Sequence, residues 1–208
     1  MQVKRKELNP TTKKVTHRKI EGFGKILWEL SLDRIEEKIK SLKKSENRPH
    51  PNFIEGLSQI ISTMDTFLDT SSQESENDEF CIKVYDAVHL ESGEILRTTG
   101  EFHGKEWFSN VAVTPAEDQG QYNSDEGAWY GKVLLLFKFL RGSFREPYEL
   151  ALVRWYDIHQ TEPDLYGYPQ LYYTEEYNAI PVGSINQEVH IVPRFDKQNR
   201  FLLNKYMF

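Results

Sequence analysis

A chain of 208 residues with 38% hydrophobic and 28% charged side chains can bury one sizeable core plus a smaller appendage. No apolar run approaches the roughly 20 residues of a membrane-spanning helix, and the opening MQVKRK lacks the apolar core of a signal peptide. With Cys81 the single cysteine, no internal disulfide forms, so the sequence argues against helical membrane proteins and disulfide-stapled secreted domains and points to a reducing, intracellular setting.

The net charge of −6 is unevenly placed. Residues 1–48 hold 14 Lys or Arg against 7 acids, a balance of +7. Residues 49–80 hold 7 acids and no Lys or Arg, and residues 81–208 carry −6. A basic arm joined to an acidic body assigns any nucleic-acid contact to the arm, because the body repels phosphate. The arm spans residues 1–22 and is expected to be disordered. Its clusters, Lys4, Arg5 and Lys6, then Lys13 and Lys14, then Arg18 and Lys19, have the composition of a nuclear-import signal or a nucleic-acid-contacting tail.

A helical pattern is expected from Phe23 onward. Ser31 is placed to cap a helix in which Leu32, Ile35, Ile39 and Leu42 recur at three- and four-residue spacing. A second, clearer stripe runs through Phe53, Ile54, Leu57, Ile60, Ile61, Met64, Phe67 and Leu68, with Pro51 at its start. Together they predict a helical hairpin over residues 23–69. It needs a surface to bury its stripes: the β body, a second copy or a partner. The run TSSQESENDE at 70–79 reads as an acidic linker and domain boundary, either a spacer or a phosphorylation target.

From residue 80 the pattern is β. Strands are expected over 80–90, at 95–97, at 107–114, at 188–192 and at 200–207. The centre is the stretch 129–158, where Val133, Leu135, Phe137 and Phe139 share one face and Leu134 and Leu136 the other. A strand apolar on both faces is covered on both sides, so this predicts a central β-hairpin, its turn holding Gly142 and Pro147. The Tyr- and Pro-rich stretch 163–173 reads as a connection. Six or seven short strands argue for a small, strongly bent barrel over residues 80–208. The predicted class is α+β, mainly β.

The series YGKVLLLFKF, ALVRWYDI and YYTEEYNAIPVGSINQEVHIVP resembles a bromo-adjacent homology (BAH) domain. Arg154-Trp155-Tyr156 stands at that family's Arg-Trp-aromatic position, Glu175-Glu176-Tyr177 at its acidic-aromatic segment, and Ile180-Pro181-Val182 with Ile185 at its return strand. The resemblance covers residues 129–193. A broader one, through HGKEWFSNVAV, SDEGAWYGKVLLLF and the closing VHIVPRF and NRFLLNKYMF, is to proteins multiplied in arbuscular mycorrhizal fungi. It extends to the C-terminal parts of fungal transposon-encoded proteins. The BAH resemblance implies a nuclear, chromatin-associated protein-interaction module, some relatives of which hold methylated lysine between aromatic faces. By position it implies a cage drawn from Trp155, Tyr156, Trp129, Tyr130, Tyr172 and Tyr173, with Asp157 or Glu175 as counter-charge. The chain departs from the methyl-lysine readers at Asp157, where they often carry a further aromatic. The alternative for Trp155 is a place in the core.

No HxH, HExxH, CxxC, GxSxG, Walker A or GxGxxG arrangement is present. Cys81 with His89 or His190 as base is conceivable, but a lone thiol in CIKVY reads as a buried residue. Asp118, Asp125 and Glu126 read as a solvated loop rather than a metal cluster. The expectation is therefore a non-enzymatic module without cofactor or metal. Its partner is protein, such as a histone tail or a transposase-related partner, and it has no membrane contact. The alternatives are nucleic-acid binding through the arm and a transposon remnant without independent function. Nuclear placement follows from the resemblance, and cytoplasmic placement from composition alone.

Overall fold

The computed structural model describes residues 20–46, 49–69, 80–113, 128–141, 146–159 and 167–204. In chain order the elements are β1 (Ile20–Phe23), β2 (Ile26–Ser31), a 3-10 turn (Leu32–Arg34), α1 (Ile35–Lys44) and α2 (Pro51–Asp69). Then come β3 (Phe80–Tyr85), β4 (Ala87–Leu90), β5 (Ile95–Phe102), β6 (Lys105–Phe108), β7 (Asn110–Val113), β8 (Trp129–Arg141), β9 (Tyr148–Ile158) and β10 (Gln170–Pro181). A second 3-10 turn (Val182–Ser184), β11 (Ile185–Glu188), β12 (His190–Pro193) and β13 (Phe201–Asn204) end the series. Strands hold 57% of the described residues, which makes the class mainly β with two helices.

The large sheet runs β11-β7-β8-β9-β10-β13-β12, with β3 on the far half of β8 and β2 outside β3. Its two ends, β11 and β12, are consecutive pieces of one segment, 185–193. Between them the Val189 N–H donates to the Asn110 carbonyl at 2.8 Å. The sheet therefore curls into a half-barrel whose ends are joined through their own chain. A smaller sheet, β1-β4-β5-β6, lies against it.

Alternation along β9 divides the core. Ala151, Val153 and Trp155 face one way and pack with Val133, Ile180, Val182 and Ile185, and with Val88, Leu90 and Leu96 of the small sheet. Leu150 and Leu152 face the other way, under α2, whose stripe of Phe53, Leu57, Ile60, Met64 and Phe67 is buried on them. Further along that second face, Tyr156 joins Leu171, Val189, Ile191 and Leu203 inside the curl. Covered on both sides, β8 and β9 had to be apolar on both faces.

Several sequence expectations are corrected. Residues 20–31, expected as the arm's end and the first helix, are strands: Trp28 and Leu30 alternate with Glu29 and Ser31 and pair with Val84, Ile82, Lys83 and Cys81 of β3. Ser31 does not cap a helix with its side chain. The helices are confined to 35–44 and 51–69, and α2 packs on the β body. The stretch expected as one strand over 80–90 breaks at Asp86, whose carboxylate accepts from the Lys25 N–H at 2.7 Å, and its halves enter different sheets. The Tyr-rich stretch expected as a connection runs into a twelve-residue central strand, β10. Residues 1–19, 70–79 and, of the turn between β8 and β9, 142–145 lie outside the described residues. Among those described, no helix is long and apolar enough to cross a membrane.

Gly131 sits where β8 passes under Trp155. A methyl group there would meet the Val153 side chain, and Trp155 at 3.1 Å. Gly131→Ala is expected to cost about 1–3 kcal/mol by overpacking, read as a lowered urea midpoint with an unchanged slope.

Candidate functional site

Across four neighbouring strands one row of the second face is polar. Asn110 of β7 stands opposite Lys132 of β8, Lys132 opposite Arg154 of β9, and Arg154 opposite Tyr177 of β10. This row separates the helix-covered core from the core inside the curl. Two cations directly opposite each other repel, so the row persists only with compensating charge. Glu55 of α2 supplies it. Its carboxylate accepts from Arg154 Nη1 at 2.9 Å and from the Tyr177 hydroxyl at 2.8 Å. Arg154 Nε donates to the Thr174 carbonyl at 3.1 Å, and Nη2 lies 3.4 Å from Glu175.

Lys132 lies over the Phe108 ring, 5.9 Å from its centroid. Burial pushes its ammonium below the usual lysine range. The Glu106 and Glu55 charges pull it back up, and Arg154 adds to the depression. Glu106 in turn pairs with His50, whose other ring nitrogen faces the Asn52 N–H at 3.2 Å.

The guanidinium of Arg154 also sits 4.4 Å from the Tyr173 ring centroid and 5.5 Å from that of Tyr177. Cation–π attraction of this kind is what an aromatic cage offers a ligand. Here the chain's own arginine occupies the faces. Tyr172 is placed similarly, with Arg200 6.0 Å from its centroid and His159 edge-on at 5.9 Å.

The implied cage residues are thus distributed rather than gathered. Trp155 is fully buried, donates its indole N–H to Asn178 Oδ1 at 2.7 Å, and meets Trp129 edge-on at 5.7 Å on the face toward the small sheet. Tyr156, next in sequence and so on the opposite face, is stacked on Tyr173 at 4.5 Å. Its hydroxyl lies 2.9 Å from both Asn110 Oδ1 and the Tyr173 hydroxyl. Tyr130 is half-buried against the same cluster. Trp155 and Tyr156 therefore cannot wall one concavity.

What faces water is the acidic-aromatic segment. The β9–β10 register shifts between Tyr173 and Tyr177, and this bulge carries Glu175, with its side chain 91% exposed, and Glu176 outward. On the neighbouring strand exposed Asp157 accepts from the Tyr172 hydroxyl at 3.1 Å. Reasoning from the sequence missed Glu55 and Tyr177 as partners of Arg154, and Lys132 as the cation opposite it. The available signal was phase: Arg154 falls on the inward beat set by Leu150, Leu152 and Tyr156.

Cys81 is half-buried, and burial, followed by Glu29, pushes its thiol up, away from the thiolate a nucleophile needs. His89 and His190 are exposed on β4 and β12. Among the described residues no group of three His, Cys, Asp or Glu is placed to hold a metal. Lys4, Arg5, Lys6, Lys13, Lys14, Arg18, Lys19, Asp118, Asp125 and Glu126 lie outside the described residues. Comparison with protein-family models, curated proteins and solved structures finds no match to the chain.

Burial pushes the hydroxyls of Tyr173 and Tyr177 up to about 12, and that of Tyr156 well above its ordinary value. Unfolded tyrosine ionises near about 10, so above that pH the unfolded chain loses protons that the folded chain retains. The stability these groups contribute is whole below about pH 10 and falls as pH rises toward about 12. Absorbance at the tyrosinate band is expected to show a late-titrating set, and Tyr173→Phe should flatten the alkaline fall in unfolding free energy.

Proposed function

We propose that the chain is a non-catalytic protein-interaction module of the bromo-adjacent homology kind, derived from the C-terminal part of a transposon-encoded protein. In this reading it receives a lysine-rich segment, of the histone-tail class, in the nucleus. The observation that carries the reading is the bulge in β10. A central strand gives up ladder bonds there and turns Glu175 and Glu176 to solvent. Bulges re-aim side chains, and they recur next to binding sites. The quoted blocks of the resemblance fall on β8, β9, β10, β11 and β12, the strands that build the curl, which supports the same reading.

Recognition on this surface rests on exposed carboxylates, each worth about 0.2–1 kcal/mol to a paired cation and screened by salt. Complementary charge of this sort sets encounter rate and partner choice more than affinity.

The test is calorimetric titration of the chain with a synthetic peptide of alternating Lys and Gly. Binding is expected to weaken as salt is raised, and to fall roughly five- to tenfold in the double variant Glu175→Gln, Glu176→Gln. A peptide that does not bind, or that binds parent and variant alike, contradicts the reading.

A further inference from the structure

We propose that Lys132 is an acyl-acceptor site, a nucleophilic amine that takes a small neutral acyl group from a thioester donor. It uses neither Glu175 nor Glu176 and stands independently of the surface at β10. The large sheet sets like cations opposite each other twice. In one case Lys83 of β3 faces Lys138 of β8. Each of these has a glutamate opposite it on its other flank, Glu29 on β2 and Glu149 on β9, paired at 3.4 and 2.9 Å. In the other case Lys132 faces Arg154, and only the arginine is paired, with Glu55. On the other flank of Lys132, β7 offers Asn110, a neutral amide whose Oδ1 lies 2.9 Å from the Tyr156 hydroxyl. Among the described residues the Lys132 ammonium makes no hydrogen bond or ion pair. It lies over the Phe108 ring instead.

Half-buried, set against a guanidinium and given no bonded acceptor, Lys132 has its charged form disfavoured on two counts. Lysines become nucleophiles in this way, by desolvation or beside another cation. The lowered hold of Lys132 on its proton has the same sense. The carboxylates that oppose it, Glu106 and Glu55, are engaged by His50 and by Arg154 with Tyr177. These neighbours also select the group transferred. Methylation keeps a positive charge against Arg154, and a succinyl group brings a negative one toward Glu55 and Glu106. An acetyl group leaves a neutral amide and removes the repulsion across β8 and β9. In the step the Nζ lone pair attacks the thioester carbonyl. The C–N bond forms, the C–S bond breaks, and the sulfur leaves as a thiol with the proton the amine gives up.

The experiment is incubation of the full chain with the acetyl thioester of N-acetylcysteamine, a small neutral donor, near neutral pH. Site occupancies are followed by peptide mass spectrometry, with exposed Lys40, Lys43 and Lys44 of α1 as internal references. Lys132 is expected to acetylate roughly three- to tenfold faster than these, and the advantage to vanish in concentrated urea. Asn110→Asp gives Lys132 the opposed carboxylate that Lys83 and Lys138 have. In that variant, shown folded by its melting curve, the rate at Lys132 should fall to that of the references. Lys132→Gln removes the charge as acetylation does and should melt at or above the parent temperature. A Lys132 rate at or below the references overturns the proposal. So does an advantage that persists in urea or in folded Asn110→Asp, or a lowered melting temperature of Lys132→Gln. None of these outcomes bears on peptide binding at β10.

Discussion

The bond between Arg154 and Glu55 holds the two halves of this molecule in register. Arg154 stands on the central strand β9 between two apolar clusters, one under α2 and one inside the curl. Its charge is partly withdrawn from water, and Glu55, on the helix, is its closest carboxylate, at 2.9 Å. A cation in this position is costly to bury alone, so the helix cannot slide along the sheet without stranding it. Tyr177 fixes the same carboxylate from β10, which ties a third element to the junction. The guanidinium, lying over Tyr173 and Tyr177, also decides what those rings are free to do.

The second constraint is closure. Because β11 and β12 form one segment at both ends of the ladder, the curl needs no additional strand to protect its edges. The tyrosines of the inward face become core as a result: Tyr156 and Tyr173 stack, with Phe201 edge-on to both at 5.2 and 4.7 Å. In the proposed reading, recognition is left to what the strands expose at their irregularities, and the bulge of β10 exposes acids.

How much of this was legible depended on whether local pattern and burial agreed. The paired strands β8 and β9 were legible because runs apolar on both faces have few other homes, and α2 because its stripe repeats over about four turns. Strand β10 was not: Tyr, Glu, Asn and Pro dominate it, and its burial comes from neighbours rather than from its own composition. Residues 26–31 were misread because Leu27 and Leu30 fit a helical spacing while Trp28 and Leu30 alternate with Glu29 and Ser31, and only pairing with β3 decides between the two. Trp155 and Tyr156 could be placed on opposite faces from the strand period alone. That α2 would bring a carboxylate to Arg154 depended on docking, which no spacing within either segment encodes.

Arg154 fills the aromatic faces of Tyr173 and Tyr177, so in the proposed reading recognition falls to exposed carboxylates. Binding constants for a trimethyl-lysine peptide and its unmodified twin test it most directly. The account predicts affinities equal within about twofold, since both peptides carry the same charge and the Tyr173 and Tyr177 faces are taken. A preference of roughly tenfold or more for the trimethylated peptide, abolished by Tyr173→Ala in a folded variant, would contradict it.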